Sequence, residues 1–92
     1  MNTYTIYSKT GCPYCEKTVE VMQRLNLKYA VKELDIDYTR DQFYNKFGLG
    51  STFPRVIYTE YILGQDGNVE EQNTVVGGMQ ETVAYLKNKK II

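Results

Sequence analysis

The sequence contains no histidine and only two cysteines, Cys12 and Cys15. A structural zinc site draws four ligands from Cys, His and carboxylate side chains. With no imidazole and no second thiol pair, a metal centre within one chain is disfavoured and none is expected. No stretch is long and apolar enough to cross a bilayer, which argues against membrane residence. Residues Met1 to Thr5 lack the basic start and apolar middle of a secretory signal, so the cytoplasm is the expected compartment. Eleven basic and eleven acidic residues cancel. No basic stripe runs along any segment, which leaves nucleic-acid binding without support. The 92 residues show no repeat, linker or low-complexity tract and are too few for two cores. One domain spanning 1–92 is expected, acting as a monomer.

What the chain does have is an alternation of strand and helix patterns. Thr3 to Ser8 alternates Tyr4 and Ile6 with Thr5 and Tyr7, as a strand does, and ends at a polar turn, Lys9-Thr10-Gly11. Pro13 suits the first position of a helix, where its fixed φ is favourable and its missing N–H costs nothing. Tyr14, Thr18, Val21, Met22 and Leu25 recur on one face of that helix, and Asn26 offers a stop. Tyr29 to Asp37 reads as a second strand, and Thr39 caps a short helix that reaches about Phe47. From Pro54, the run Val56 to Leu63, the turn Gln65-Asp66-Gly67-Asn68 and the return Val69 to Val76 form a long hairpin. After Gly77-Gly78, the spacing of Met79, Val83 and Leu86 predicts a last helix, with Lys87, Lys89 and Lys90 near its negative end. A right-handed crossover makes the first two strands parallel, and the hairpin supplies an antiparallel pair, with helices on both faces. The expected fold is α/β, in the order βαβαββα.

The cysteine spacing carries the chemistry. A bridge across so short a loop removes only about 2 kcal/mol of unfolded-chain entropy, part of which strain offsets, so stabilisation is not its obvious use. CxxC admits redox, metal and inert readings, and the helix start favours the first. A thiol with a pKa of about 8.5 is only about 3% ionised at pH 7, and attack on a disulfide needs the thiolate. At the helix start the Cys12 sulfur can accept amide bonds from Tyr14 and Cys15 and feel the positive end of the dipole, with the Lys9 cation nearby. A lower pKa raises the thiolate fraction but reduces its intrinsic nucleophilicity by a similar factor, so the larger benefit falls to Cys12 as a leaving group. Cys15, lower on the helix, is expected to be more buried and to act as the resolving thiol, leaving Cys12 to face substrate.

The Cys12-Pro13-Tyr14-Cys15 segment after the first strand, Thr52-Phe53-Pro54 before the third, and Gly77-Gly78 before the last helix together resemble the three signatures of the glutaredoxins. The resemblance spans nearly the whole chain. It implies a thioredoxin fold with a four-stranded mixed sheet flanked by helices. It also implies a thiol–disulfide oxidoreductase that takes electrons from glutathione and reduces protein disulfides or protein–glutathione mixed disulfides, ribonucleotide reductase being one acceptor it suggests. By the same resemblance Cys12 and Cys15 are catalytic. Lys9, Tyr14, Thr52, Phe53, Pro54, Gly78, Met79 and Gln80 are the expected glutathione contacts, and Arg40 is a further candidate for the glycine carboxylate. Pro54 is expected to be cis, leaving the Phe53 backbone free to pair with substrate, and the Met79 and Gln80 amides to hold the γ-glutamyl carboxylate. Four departures stand out: Phe53 where valine is usual, neutral Gln80 (followed by Glu81) where many relatives carry aspartate, a hairpin longer than usual, and a chain that ends soon after the last helix. Two other readings stay open at this point. One is a redoxin reduced by a flavoprotein reductase; the other is a non-catalytic dimer binding a [2Fe-2S] cluster through Cys12 and external glutathione.

Overall fold

The computed structural model describes residues 2–91; Met1 and Ile92, the two ends of the expected 1–92 domain, lie outside the described residues. Seven elements follow in the expected order: β1 Thr3–Ser8, α1 Pro13–Arg24, β2 Tyr29–Glu33, α2 Arg40–Phe47, β3 Arg55–Leu63, β4 Val69–Gly77 and α3 Met79–Asn88. They build a four-stranded mixed sheet in the order β2-β1-β3-β4. β1 runs parallel to β2 and antiparallel to β3, and β3 pairs antiparallel with β4. This is the α/β architecture read from the residue pattern.

The period-2 alternation of the central strands sorts their side chains onto two faces. Tyr4 and Ile6 of β1 join Val56 and Tyr58 of β3, Met22 of α1 and Leu86 of α3 in one buried cluster. The intervening residues Tyr7 and Ile57 face the other way and pack with Tyr38 and Phe43 beneath α2. Most of the second cluster is aromatic: Phe43 stacks on Phe53 with ring centroids 4.2 Å apart and planes 11° from parallel, and contacts Phe47 at 4.9 Å.

The buried face of α1 is Cys15, Thr18 and Met22. Tyr14, expected on that face, is instead 60% exposed. It sits in the first turn, where its carbonyl accepts a 2.7 Å hydrogen bond from the Thr18 hydroxyl while its ring projects away from the core. The helix ends as expected: Asn26 takes a left-handed φ of 54°, and the Leu27 amide reaches back to the Met22 carbonyl at 3.0 Å.

β2 is shorter than the expected Tyr29 to Asp37. It stops at Glu33, where the chain turns: the Glu33 carbonyl accepts the Ile36 and Asp37 amides at 3.1 and 2.8 Å, and the Asp37 carboxylate takes the Glu33 amide at 2.8 Å. Asp35 turns the chain with φ of 68°. Tyr38 then closes the segment onto the sheet, its hydroxyl donating to the Ser8 carbonyl at 2.5 Å. Thr39 caps α2 in a reciprocal box with Gln42: the Thr39 hydroxyl accepts the Gln42 amide at 3.2 Å, and the Gln42 side chain accepts the Thr39 amide at 2.8 Å. At the far end of the sheet, β1 reaches only Thr3, opposite Thr59. Among the described residues no third strand flanks the β3–β4 hairpin beyond it, and Tyr61, Leu63 and Val69 are exposed there.

The passage from β4 to α3 turns on one glycine. Gly77 has φ of 123°, and a Cβ there would lie 2.8 Å from Glu81 Cβ. Gly78 has an ordinary φ of −85°, and a Cβ there would meet its nearest neighbours at 3.5 Å. Gly77→Ala is therefore expected to cost more than about 1 kcal/mol of folding stability, and Gly78→Ala distinctly less, as read from urea unfolding midpoints.

Burial, and then the neighbouring Tyr7, Asp37 and Glu33, push the Tyr38 phenol from 10.0 up to about 12. A raised acid pKa keeps the folded form protonated after the unfolded chain has ionised. Its contribution is thus complete below pH 10 and is lost as pH rises toward 12. Tyr38→Phe should cost about 1 kcal/mol at neutral pH through the missing hydrogen bond, and should flatten the alkaline loss of stability measured by denaturant titration over that window.

Candidate active site

The site forms where three chain segments meet at one end of the sheet. The first is the β1–α1 connection. Cys12 is the residue that caps α1, with extended backbone angles (φ −104°, ψ 103°), and Pro13 follows in the first turn. Proline has no N–H, so the amides available to a capping group begin at Tyr14. The Cys12 sulfur accepts the Cys15 amide at 3.2 Å. Of the two amides expected to bond the sulfur, Cys15 does so and Tyr14 does not. Cys12 and Cys15 are joined as a disulfide, their Cα atoms 5.2 Å apart. Cys15 is 2% exposed and Cys12 only 6%. The expected order of accessibility holds, but its contrast is narrower than expected, because in the bridged pair the Cys12 sulfur is covered by its partner and by the helix amide.

The second segment is Thr52-Phe53-Pro54. The Phe53–Pro54 peptide is cis and Pro54 is buried. Phe53 is half-buried. Its ring lies against Phe43 in the core, while the Lys9 ammonium sits over it at 5.3 Å from the centroid. Arg55 turns back over this loop, its Nε donating to the Thr52 carbonyl at 3.1 Å.

The third segment is the N-terminus of α3. The Gly78 carbonyl accepts the Thr82 amide at 3.0 Å and the Thr82 hydroxyl at 2.8 Å. The Gly78 amide donates to the Glu81 carboxylate at 3.2 Å. The Met79 and Gln80 amides, in the first helical turn, have no intrahelical acceptor. With the helix dipole behind them they present partial positive charge to whatever lies in front.

These segments enclose a cleft of about 250 Å³ lined by Tyr14, Thr52, Phe53, Pro54, Arg55, Gly78, Met79, Gln80 and Glu81. Seven of the residues singled out from the sequence thus share one cavity: Tyr14, Thr52, Phe53, Pro54, Gly78, Met79 and Gln80. Cys12 and Cys15 lie at the start of the helix whose first turn contributes Tyr14 to the wall. Lys9 does not line the cleft; its ammonium lies over the ring of Phe53, which does belong to the lining. Arg40 is not brought there. It begins α2, exposed, with its guanidinium 3.4 Å from the Tyr44 hydroxyl.

Two lining residues were not among the expected contacts. Arg55 directly follows Pro54, so any groove beside that proline also meets its guanidinium. Glu81 stands three residues after Gly78, the spacing at which a carboxylate folds back on a helix start. Both signals were present in the sequence. Together they give the cleft one fixed cation, one carboxylate and a patch of unpaired amides, a surface matched to a small ligand bearing both signs of charge.

The Glutaredoxin family model matches residues 4–62 of the chain. Over 99% of its length the chain is 33% identical to mitochondrial glutaredoxin-2 of Pongo abelii and spans half of that protein. It is 30% identical to glutaredoxin-C2 of Arabidopsis thaliana, over 95% of this chain and 69% of that one. Among solved structures, a buckwheat glutaredoxin–glutathione complex superposes with a TM-score of 0.66 at 21% identity, over 98% of this chain and 73% of that chain; at that identity the likeness is one of fold. With the family model covering residues 4–62 and the paired cysteines at the head of α1, the chain belongs to the glutaredoxin family.

Proposed function

We propose that the protein is a glutathione-dependent thiol–disulfide oxidoreductase that reduces protein disulfides and protein–glutathione mixed disulfides, with Cys12 as nucleophile and Cys15 as resolving thiol. The observation that carries this reading is the Cys12–Cys15 bridge at the N-cap of α1, beside a cleft with charges of both signs. The buckwheat neighbour, described as a glutathione complex, supports glutathione as the ligand class.

In the reduced protein the Cys12 thiolate attacks a substrate disulfide, forming a mixed disulfide and releasing one substrate thiol. Cys15 then attacks the Cys12 sulfur, releasing the second thiol and leaving the Cys12–Cys15 bridge. One glutathione thiolate opens that bridge at Cys12 and frees Cys15. A second attacks the glutathione sulfur, expelling the Cys12 thiolate and forming glutathione disulfide. Two glutathione thiols are oxidised for each substrate disulfide reduced. When the substrate is itself a glutathione mixed disulfide, Cys12 alone completes the cycle.

The second return step has the Cys12 thiolate as its leaving group, and a stable thiolate leaves faster. The Cys15 amide and the α1 dipole stabilise that anion. The lesser exposure of Cys15 suits a thiol that meets only Cys12. In this reading the Met79 and Gln80 amides and Arg55 receive the carboxylates of the ligand and Glu81 its ammonium; what supports it is that all four residues line the same cleft. Glu81 here answers the missing aspartate at position 80, although its carboxylate also accepts the Gly78 amide.

Cys12→Ser should reduce exchange to the uncatalysed background with both substrate classes. Cys15→Ser should keep reduction of glutathione mixed disulfides and lose most reduction of protein disulfides. Coupled turnover assays on both substrates check this, and equal activity of the two variants on both would refute the roles. Alkylation of the reduced protein, followed against pH, should give a Cys12 pKa below the ordinary value of about 8.5. A titration at that ordinary value would mean that the helix start does not tune the sulfur.

A further inference from the structure

Phe53 occupies an unusual position. Its ring is held flat by Phe43, which is 1% exposed and so fixed within the α2 cluster. Phe53 is also one of the residues lining the cleft, and its ring centroid lies 5.3 Å from the Lys9 ammonium. Lys9 is exposed, and its ammonium forms no ion pair among the described residues. A lysine on a polar turn otherwise samples many rotamers, because a flexible four-carbon stem separates its charge from the backbone. The aromatic face offers the cation a defined seat, since the negative face of the ring quadrupole attracts it. A branched aliphatic residue at position 53 has no such face.

We propose that Phe53 is a positioning residue for Lys9, its ring holding the ammonium beside the cleft for the carboxylate of the bound thiol ligand. The proposal rests on the glutathione reading above. The chain of support is short: buried Phe43 sets the ring plane, the ring sets the ammonium, and the ammonium meets the ligand. Phe53 itself touches no reacting atom. Its side chain acts through Lys9, and its backbone role beside Pro54 is independent of the ring.

The experiment combines Phe53→Leu, Phe53→Tyr, Lys9→Gln and the Phe53→Leu/Lys9→Gln double variant. Glutathione is the probe, and steady-state kinetics are read beside proton NMR of the Lys9 side chain. Cation–aromatic contacts at exposed sites correspond to about two- to fivefold in affinity, so Phe53→Leu should raise KM for glutathione by that factor with kcat held. Phe53→Tyr, which keeps the ring face, should restore it, and Phe53→Leu should add nothing once Lys9 is Gln. In the wild type the Lys9 ε-methylene protons should resonate upfield of a free lysine, and lose that shift in Phe53→Leu. A KM effect of equal size in the Lys9→Gln background would overturn the proposal, as would an unshifted Lys9 resonance in the wild type. The resonance also decides the matter if Phe53→Leu does not fold. A wild type that shows no turnover with glutathione would defeat the reaction reading instead, while the Lys9 resonance would still judge the ring contact.

Discussion

The site depends on a sulfur atom standing where a helix needs an acceptor. The start of α1 has amides that no helical carbonyl can satisfy, and Pro13 removes one of them. Cys12 fills the capping position normally taken by serine, threonine, aspartate or asparagine, and its sulfur accepts the Cys15 amide. The cap and the reactive group are thus one atom. Any gain in helix stability from negative charge at this point is also a gain in thiolate stability, because the amide and the dipole act on the same sulfur.

Two further contacts bring a ligand surface to that sulfur. Gly77 adopts a backbone conformation that side chains rarely take and lets α3 begin beside the Pro54 loop, where a Cβ added at Gly78 would lie 3.5 Å from the Pro54 carbonyl. Phe53, from that loop, is stacked into the aromatic cluster under α2. The loop is therefore gripped by α3 on one side and by the α2 cluster on the other. A rigid groove beside a reactive helix start follows from these two packings.

Much of the fold was legible because the central strands obey a strict alternation. Tyr4 and Ile6 against Tyr7, and Val56 and Tyr58 against Ile57, divide between two cores as their positions dictate. Legibility failed where side chains compete with the backbone or where one turn of helix meets a cavity. β2 ends early where the Glu33 amide and carbonyl are both taken up in a local turn with Ile36 and Asp37, which a reading of β propensity misses. Tyr14 has the spacing of a core residue, yet at the head of α1 there is a cleft to line in place of a sheet to cover. Arg40 is the first residue of a helix that packs on the sheet face opposite α3, so its charge is not brought to the site.

The sequence by itself determined the element order, the sulfur pair at a helix start and the family, since these rest on local patterns: periodicity, a proline after a cysteine and short motifs in order. Tertiary structure alone decided which distant residues share the cleft. Arg55 and Glu81 enter it, Arg40 does not, and Lys9 stops over the ring of Phe53. The physical reason is that local patterns report backbone preference and burial, whereas the position of a charge in a cleft depends on packing between segments far apart in the chain. Gly77 and Phe43 govern that packing without contributing to the cleft lining.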